Sequence, residues 1–289
     1  MPLFHGVDIH QEQLLPLLHG VDIHQEQLLP LLRGVDIHQE QLITSSTYSF
    51  LEPSTVYSYL LCLNSTLIYT TNMKSFIPTP ILASFCFFSV LYILIRQLHP
   101  FDLDWIIKSI PIFILIAFAA QRLTGATRGR MVLALAFSVT GDILLSLDGL
   151  FILGLGAFLV AQLIYALHFA TEFKASKRGV FWACSILIYM LISAIFILPN
   201  AGDFKVAVVA YITAISAMAI TAGFRGEKNY LMVAIGALIF VSSDTLIAIN
   251  KFVSPLELSG ALIMSTYYLA QLMICVGVVR QFQQSIIDK

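Results

Sequence analysis

Eight apolar stretches succeed one another along most of this 289-residue chain, each close to the roughly 20 residues that an α-helix needs to cross a bilayer. They cover 76–98, 105–121, 131–147, 151–170, 180–198, 206–223, 231–249 and 258–279. The loops between them are too short to form a separate soluble domain. In hydrocarbon every backbone amide and carbonyl must be satisfied within the chain, and a helix does this segment by segment. The expected fold is therefore an all-α membrane protein, a bundle of eight transmembrane helices. Only 11% of the residues are charged and 58% are hydrophobic, against about 25% charged in a soluble domain, so an aqueous surface could not be covered. The net charge of -1 offers no basic stripe for phosphates, and nucleic acid is excluded as a partner. Cys62, Cys86, Cys184 and Cys275 have no CxxC or paired spacing and read as small core residues.

A different kind of sequence precedes the first run. The string from His5 to Leu14 returns from His19 and, with Arg33 in place of the histidine, again through Leu42, a period of 14 residues. Stacking repeats need about 20 residues or more, and Pro16 and Pro30 would break a continuous helix. Residues 1–43 are expected to be a low-complexity tandem repeat, disordered or foreign to the native protein, whose His, Asp and Glu lack a scaffold for holding metal. Residues 44–72 read as a polar flexible segment and 73–289 as the transmembrane domain, with the natural start expected at Met73.

Orientation follows from the cations. With the start of the first run on the cytoplasmic side, that side gathers Lys74, Arg122, Arg128, Arg130, Lys174, Lys177, Arg178, Arg225, Lys228, Arg280 and Lys289. The opposite side has Arg96, Lys108, Lys205 and Lys251. The positive-inside rule then places both termini in the cytoplasm, and the expected setting is a bacterial inner membrane.

Two acids interrupt the apolar pattern. The third run contains Thr140-Gly141-Asp142-Ile143-Leu144 and the seventh Ser242-Ser243-Asp244-Thr245-Leu246, and the runs that follow share Ala161-Gln162-Leu163 and Ala270-Gln271-Leu272. This correspondence suggests two parallel four-helix halves. Both aspartates lie about six residues, or roughly 9 Å, from the outer ends of their helices. An acid within a membrane helix costs about 2.5 to 3.5 kcal/mol on insertion scales, so both must be sheltered in the bundle or in a wet cavity. Lys108 lies at a similar level on the second run, followed by Pro111, which can bend its helix toward the acids. The bland alternative is that Lys108 and one aspartate form a buried pair that merely orients helices.

Helical spacing aligns further residues, all but Phe169 of them polar: Ser138, Asp142 and Ser146; Gln162, Tyr165 and Phe169; Tyr267 and Gln271. Gln162, Tyr267 and Gln271 are expected to support the acids through interhelical hydrogen bonds. His168 falls near the far end of its run and reads as an interfacial residue. No GxSxG, HExxH, P-loop or GxGxxG occurs in a usable context, which removes serine-hydrolase, zinc-protease and nucleotide chemistry.

Gly141-Asp142-Ile143-Leu144-Leu145, the Gln162 and Tyr165 helix, Ser243-Asp244 with Asn250-Lys251-Phe252, and Tyr267-Tyr268-Leu269-Ala270-Gln271-Leu272 together resemble the YhhN family of eight-span proteins, the lysoplasmalogenases. Lys108 with Pro111 fits the family's second helix, and the resemblance runs from Met73 to the C-terminus. It implies hydrolysis of the vinyl-ether bond of a lysoplasmalogen to a fatty aldehyde and a glycerophospho-base, without metal or cofactor. Vinyl ethers cleave when an acid protonates the β-carbon and water captures the oxocarbenium ion. That chemistry calls for one neutral carboxyl, favoured by burial beside a second acid, and one carboxylate, favoured by a nearby cation. Asp142 and Asp244 are the expected catalytic pair, in either order. Lys108 would tune the pair or meet the lipid phosphate, while Gln162, Tyr165, Asn250, Tyr267 and Gln271 would bind substrate or support the acids. The competing reading is a proton- or cation-coupled transporter using the same aspartates. Transporters, however, usually show inverted repeats or interrupted helices, whereas these halves read as parallel. A purely structural membrane protein is the third possibility.

Overall fold

Each apolar run is a helix in the computed structural model, which describes residues 77–98, 103–226 and 230–287. The chain divides into two units, Met1–Leu63 and Asn64–Lys289, and every described residue belongs to the second. The tandem repeat of 1–43, the polar segment of 44–72 and the expected start at Met73 lie outside the described residues.

The helices are α1 Thr79–Leu98, α2 Asp104–Arg122, α3 Gly125–Leu145, α4 Phe151–Ala170, α5 Lys177–Ile197, α6 Lys205–Gly223, α7 Tyr230–Ala248 and α8 Ser259–Ile287. Two 3-10 turns, Leu198–Asn200 and Gly202–Phe204, link α5 to α6, and α7 continues into a π-helical turn, Ile249–Val253. Among the described residues the β pairing amounts to one antiparallel bridge, Phe173 with Arg225. Among the described residues the fold is thus an all-α membrane bundle of eight helices.

Seven of these helices are long and apolar enough to cross a membrane. The exception is α3, in which every 18-residue stretch contains Arg128, Arg130 and Asp142. Its first turns, Gly125 to Arg130, extend the helix ahead of the apolar run. α8 likewise outlasts its run into the mainly polar residues 280–287, where one helical face still packs: Gln281 is buried, whereas Ile286 and Ile287 are exposed.

α8 is the central helix, with 72% of its apolar window buried, against 17% for α1 and 22% for α5. The exposed faces of α1 and α5 are apolar, with Phe87, Leu94, Phe181, Ile188, Leu191 and Phe196 turned outward, as lipid contact requires. The most extensive helix pairings are α7 with α8 and α3 with α4, corresponding pairs in the two suggested halves. Small residues permit the first: a Cβ on Gly236 would lie 3.1 Å from the Ile274 amide nitrogen, and one on Gly277 would lie 3.2 Å from that of Val233. At its start, α5 is capped by Ser176, whose hydroxyl accepts from the Gly179 amide at 3.0 Å.

Candidate active site

Asp142 is 3% exposed and enclosed by groups from three helices. The Tyr267 hydroxyl of α8 donates to its Oδ2 at 2.6 Å. From α2 the Lys108 Nζ stands 3.4 Å from Oδ1 and donates to the Asp142 carbonyl at 3.1 Å and to Ser146 Oγ at 3.3 Å. Ser146 in turn donates to the Asp142 carbonyl at 3.0 Å, the i, i+4 contact that their spacing predicts. Lys108 is itself held, since Tyr268 donates to its backbone carbonyl at 2.8 Å in the turn that Pro111 weakens. Behind Tyr267, Tyr165 donates to Gln271 Oε1 at 2.7 Å, and Gln271 Nε2 lies 3.5 Å from the Tyr267 oxygen. A charged pair in an apolar interior persists when its remaining valences are satisfied, and here each member has hydrogen bonds beyond the pair.

Asp244 has other surroundings. It receives a hydrogen bond from Tyr211 of α6 and lies on the wall of a cavity of about 660 Å³, counting its open mouth. α4, α5, α6 and α7 all contribute to this cavity, and apart from Asp244, Tyr211, Ser193 and Thr245 its lining is apolar. α5, whose outer face is apolar and exposed, forms one wall through Met190 and Ile197. The Phe151, Phe204 and Phe252 rings meet with centroids 5.8 to 5.9 Å apart at one end, and the exposed Lys251 places its Nζ 5.1 Å over the Phe151 ring.

A single ring touches both acids' surroundings. Phe158 lines the cavity, and its centroid is 5.9 Å from that of Tyr267 in an edge-to-face contact. Gly141 makes room for it, since a Cβ there would come within 2.7 Å of Phe158 Cε2. The two carboxyl groups are close enough to interact electrostatically. Gln162, fully buried on α4, lies beside the Tyr211 hydroxyl, yet neither its oxygen nor its nitrogen makes a well-formed hydrogen bond within the protein.

Of the residues singled out in the sequence, Lys108, Asp142, Tyr165, Tyr267 and Gln271 form one connected network. Asp244 and Gln162 meet around Tyr211. Asn250 stands apart: its Oδ1 accepts from the Leu256 amide at 2.9 Å and pins the loop between α7 and α8. His168 lies in a separate cavity toward the far end of α4. Tyr211 and Phe158 were missed by sequence reasoning. A lone tyrosine six residues into an apolar run was the available signal for Tyr211; Phe158, one of 21 phenylalanines, offered none.

The sequence profile described as the YhhN family matches residues 103–278, which include every residue singled out above. Lysoplasmalogenase TMEM86A of Homo sapiens is 32% identical over 219 residues, covering 69% of this chain and 87% of the human protein. A lysoplasmalogenase of Mycobacterium tuberculosis is 31% identical over 172 residues, covering 57% of this chain and 66% of the mycobacterial one. Lysoplasmalogenase TMEM86B of Homo sapiens is 29% identical over 203 residues, with 70% and 86% covered. No solved structure matches.

Proposed function

The chain belongs to the YhhN family, and from that premise we propose that it is a lysoplasmalogenase, hydrolysing the vinyl-ether bond of a lysophospholipid within the membrane through Asp244 and Asp142. The observation that carries this reading is the cavity: an apolar slot of lipid-chain character whose polar wall is an aspartate with a tyrosine donor, backed by a second aspartate paired with lysine.

The surroundings suggest which acid does what. Asp142 has a cation and a hydroxyl donor, an arrangement suited to a standing carboxylate. Asp244 has one hydroxyl donor and apolar walls, suited to the neutral acid. Tyr211 occupies Oδ2, which leaves Oδ1 to hold the proton. Asp244 then gives that proton to the β-carbon of the alkenyl ether, the π electrons form the new C–H bond, and positive charge spreads over the α-carbon and the ether oxygen. Asp142, at one remove, stabilises that charge. Water adds to the α-carbon and returns a proton to Asp244. The hemiacetal then expels the glyceryl oxygen as an alcohol, leaving the fatty aldehyde; one water is consumed. Gln162, with unspent polar atoms beside Tyr211, is suited to holding that water.

Lys108 is committed to Asp142, so the lipid phosphate falls to another cation. Lys251, about 10 Å from Asp244 along the chain at roughly 1.5 Å per residue, stands where a glycerophosphate would reach from a vinyl ether at the acid. The cation asymmetry supports cytoplasmic termini, which would put Lys251 and the mouth of the cavity on the opposite side.

The test is aldehyde release from lysoplasmenylethanolamine by purified protein in detergent, compared with Asp142→Asn, Asp244→Asn and the double variant. Release equal to that of the double variant overturns the enzyme. Proton-driven uptake into proteoliposomes, lost in the same variants, would put a carrier in its place.

A further inference from the structure

We infer that a second cavity, at the end of the bundle away from the acids, is a binding site for a phosphate ester bearing an ammonium group, the chemistry of a phospho-base. It encloses about 290 Å³, counting its mouth, among Thr127 of α3, His168 and Glu172 at the end of α4, Arg225 beyond α6, and Gln281 and Ser285 of α8. Thr127 and Asp142 are about 22 Å apart along α3 at roughly 1.5 Å per residue, so this is a different place from the proposed active site. Gln281 and Ser285 also lie beyond the residues matched by the family profile.

The cavity's lining is mostly polar, with Val278 and Phe282 as its apolar members. Arg225, His168 and Gln281 are each only 2% to 3% exposed. Neither ring nitrogen of His168 nor the Gln281 Nε2 has a hydrogen-bond partner in the protein. Buried polar atoms without partners are costly, and three at one cavity, the Gln281 amide nitrogen and the donor and acceptor nitrogens of the His168 ring, indicate an occupant that supplies the missing partners.

The frame around them is fixed. Lys174 N donates to the Phe224 carbonyl at 2.8 Å and Gly226 N to the Glu172 carbonyl at 3.0 Å, zipping the α4–α5 and α6–α7 connections together on either side of Arg225. The Phe173 and Phe224 rings stack 4.7 Å apart over this bridge. The guanidinium lies 5.3 Å over the Phe169 ring, and its Nε donates to Gln281 Oε1 at 2.9 Å, which turns the Gln281 amide nitrogen away as a free donor.

This donor set selects the ligand. The charge of the Arg225 guanidinium, the Gln281 amide NH2, the His168 imidazole and the Thr127 hydroxyl come from four parts of the chain, and a tetrahedral phosphate is complementary to such a set. Glu172 is exposed and also lines the cavity, so a simple anion would meet repulsion there. A phosphate tethered to an ammonium turns that carboxylate into a partner. Either a soluble glycerophospho-base or a lipid head group has this chemistry.

Binding distinguishes the sources and needs no turnover. Purified full-length protein in an uncharged detergent is titrated with glycerophosphoethanolamine and, separately, with acyl lysophosphatidylethanolamine, following thermal stabilisation to obtain an apparent affinity. Saturable binding by at least one compound is expected: the soluble compound identifies a free phospho-base, and binding by the lipid alone identifies a head group. Gln281→Leu and Glu172→Gln should each weaken it about tenfold, the effect of losing one charge-assisted hydrogen bond, while Asp244→Asn binds as the wild type does. Thr127→Val, at a half-buried hydroxyl on the wall, should weaken binding about threefold and covers the case in which Gln281→Leu fails to fold. Absence of binding by both compounds, wild-type affinity in Glu172→Gln and Thr127→Val, or loss of binding in Asp244→Asn would each overturn the site.

Discussion

Asp142 is enclosed by a lysine, a tyrosine hydroxyl and the serine of its own turn, whereas Asp244 meets one tyrosine hydroxyl and the wall of an open apolar cavity. Both acids stand in matching sequence contexts on helices that pack against equivalent neighbours, α3 on α4 and α7 on α8. What separates them is what the other helices bring. α2 delivers Lys108 to the first acid, and α6 delivers Tyr211 to the second. Helix order thus leaves one acid in a buried ion pair and the other on the wall of an apolar cavity, where the proposed function needs its proton donor. The alternative in which Lys108 and one aspartate form a buried pair matches the geometry at Asp142, and Asp244 lies outside that pair.

The largest expected difference is in turnover. Asp244→Asn should reduce aldehyde release roughly a thousandfold, the scale of a lost general acid, and leave thermal unfolding followed by circular dichroism unchanged or slightly raised. Asp142→Asn should lose activity and also about 3 kcal/mol of stability, because it strands the Lys108 ammonium in the interior. Adding Lys108→Met to Asp142→Asn should recover most of that loss without restoring aldehyde release. If Asp244→Asn proves the more destabilising substitution, the division of roles is wrong.

The tyrosines should divide the same way on a smaller scale. Tyr267→Phe removes a hydrogen bond to a buried charge and should cost about 1.5 to 2 kcal/mol of stability. Tyr211→Phe should lower kcat about tenfold with KM and the unfolding midpoint nearly unchanged, as expected for loss of one hydrogen bond at the acid. Equal stability losses in the two variants would erase the distinction. The smallest effect is expected at the ring between the two sites. Gly141→Ala should press Phe158 toward the cavity, costing about 1 kcal/mol of stability and raising KM more for long alkenyl chains than for short ones.

Much of the candidate site was legible from residue spacing. Asp142 with Ser146, and Tyr267 with Gln271, follow from 3.6 residues per turn, and Lys108 from its depth on a neighbouring run. Tyr211 was not singled out, because a tyrosine in an apolar helix more often marks an interface or an interhelical bond than an acid's donor. The commitment of Asn250 to the Leu256 amide was equally hidden, since a contact across a turn depends on how α7 unwinds into its π turn. Helix limits diverged where polarity and packing diverge: α3 begins ahead of its apolar run, and α8 continues past its own on one buried face.

By itself, the sequence determined that the chain is a multi-pass helical membrane protein with two sheltered acids. Hydrocarbon admits few backbone solutions, and a charge inside it must be compensated, so length, polarity and spacing suffice for both conclusions. Only the tertiary structure decided which acid is paired and which faces the cavity. That choice depends on which side chains α2, α4, α5 and α6 project across the bundle, and helical periodicity fixes the face of each helix without fixing its neighbour.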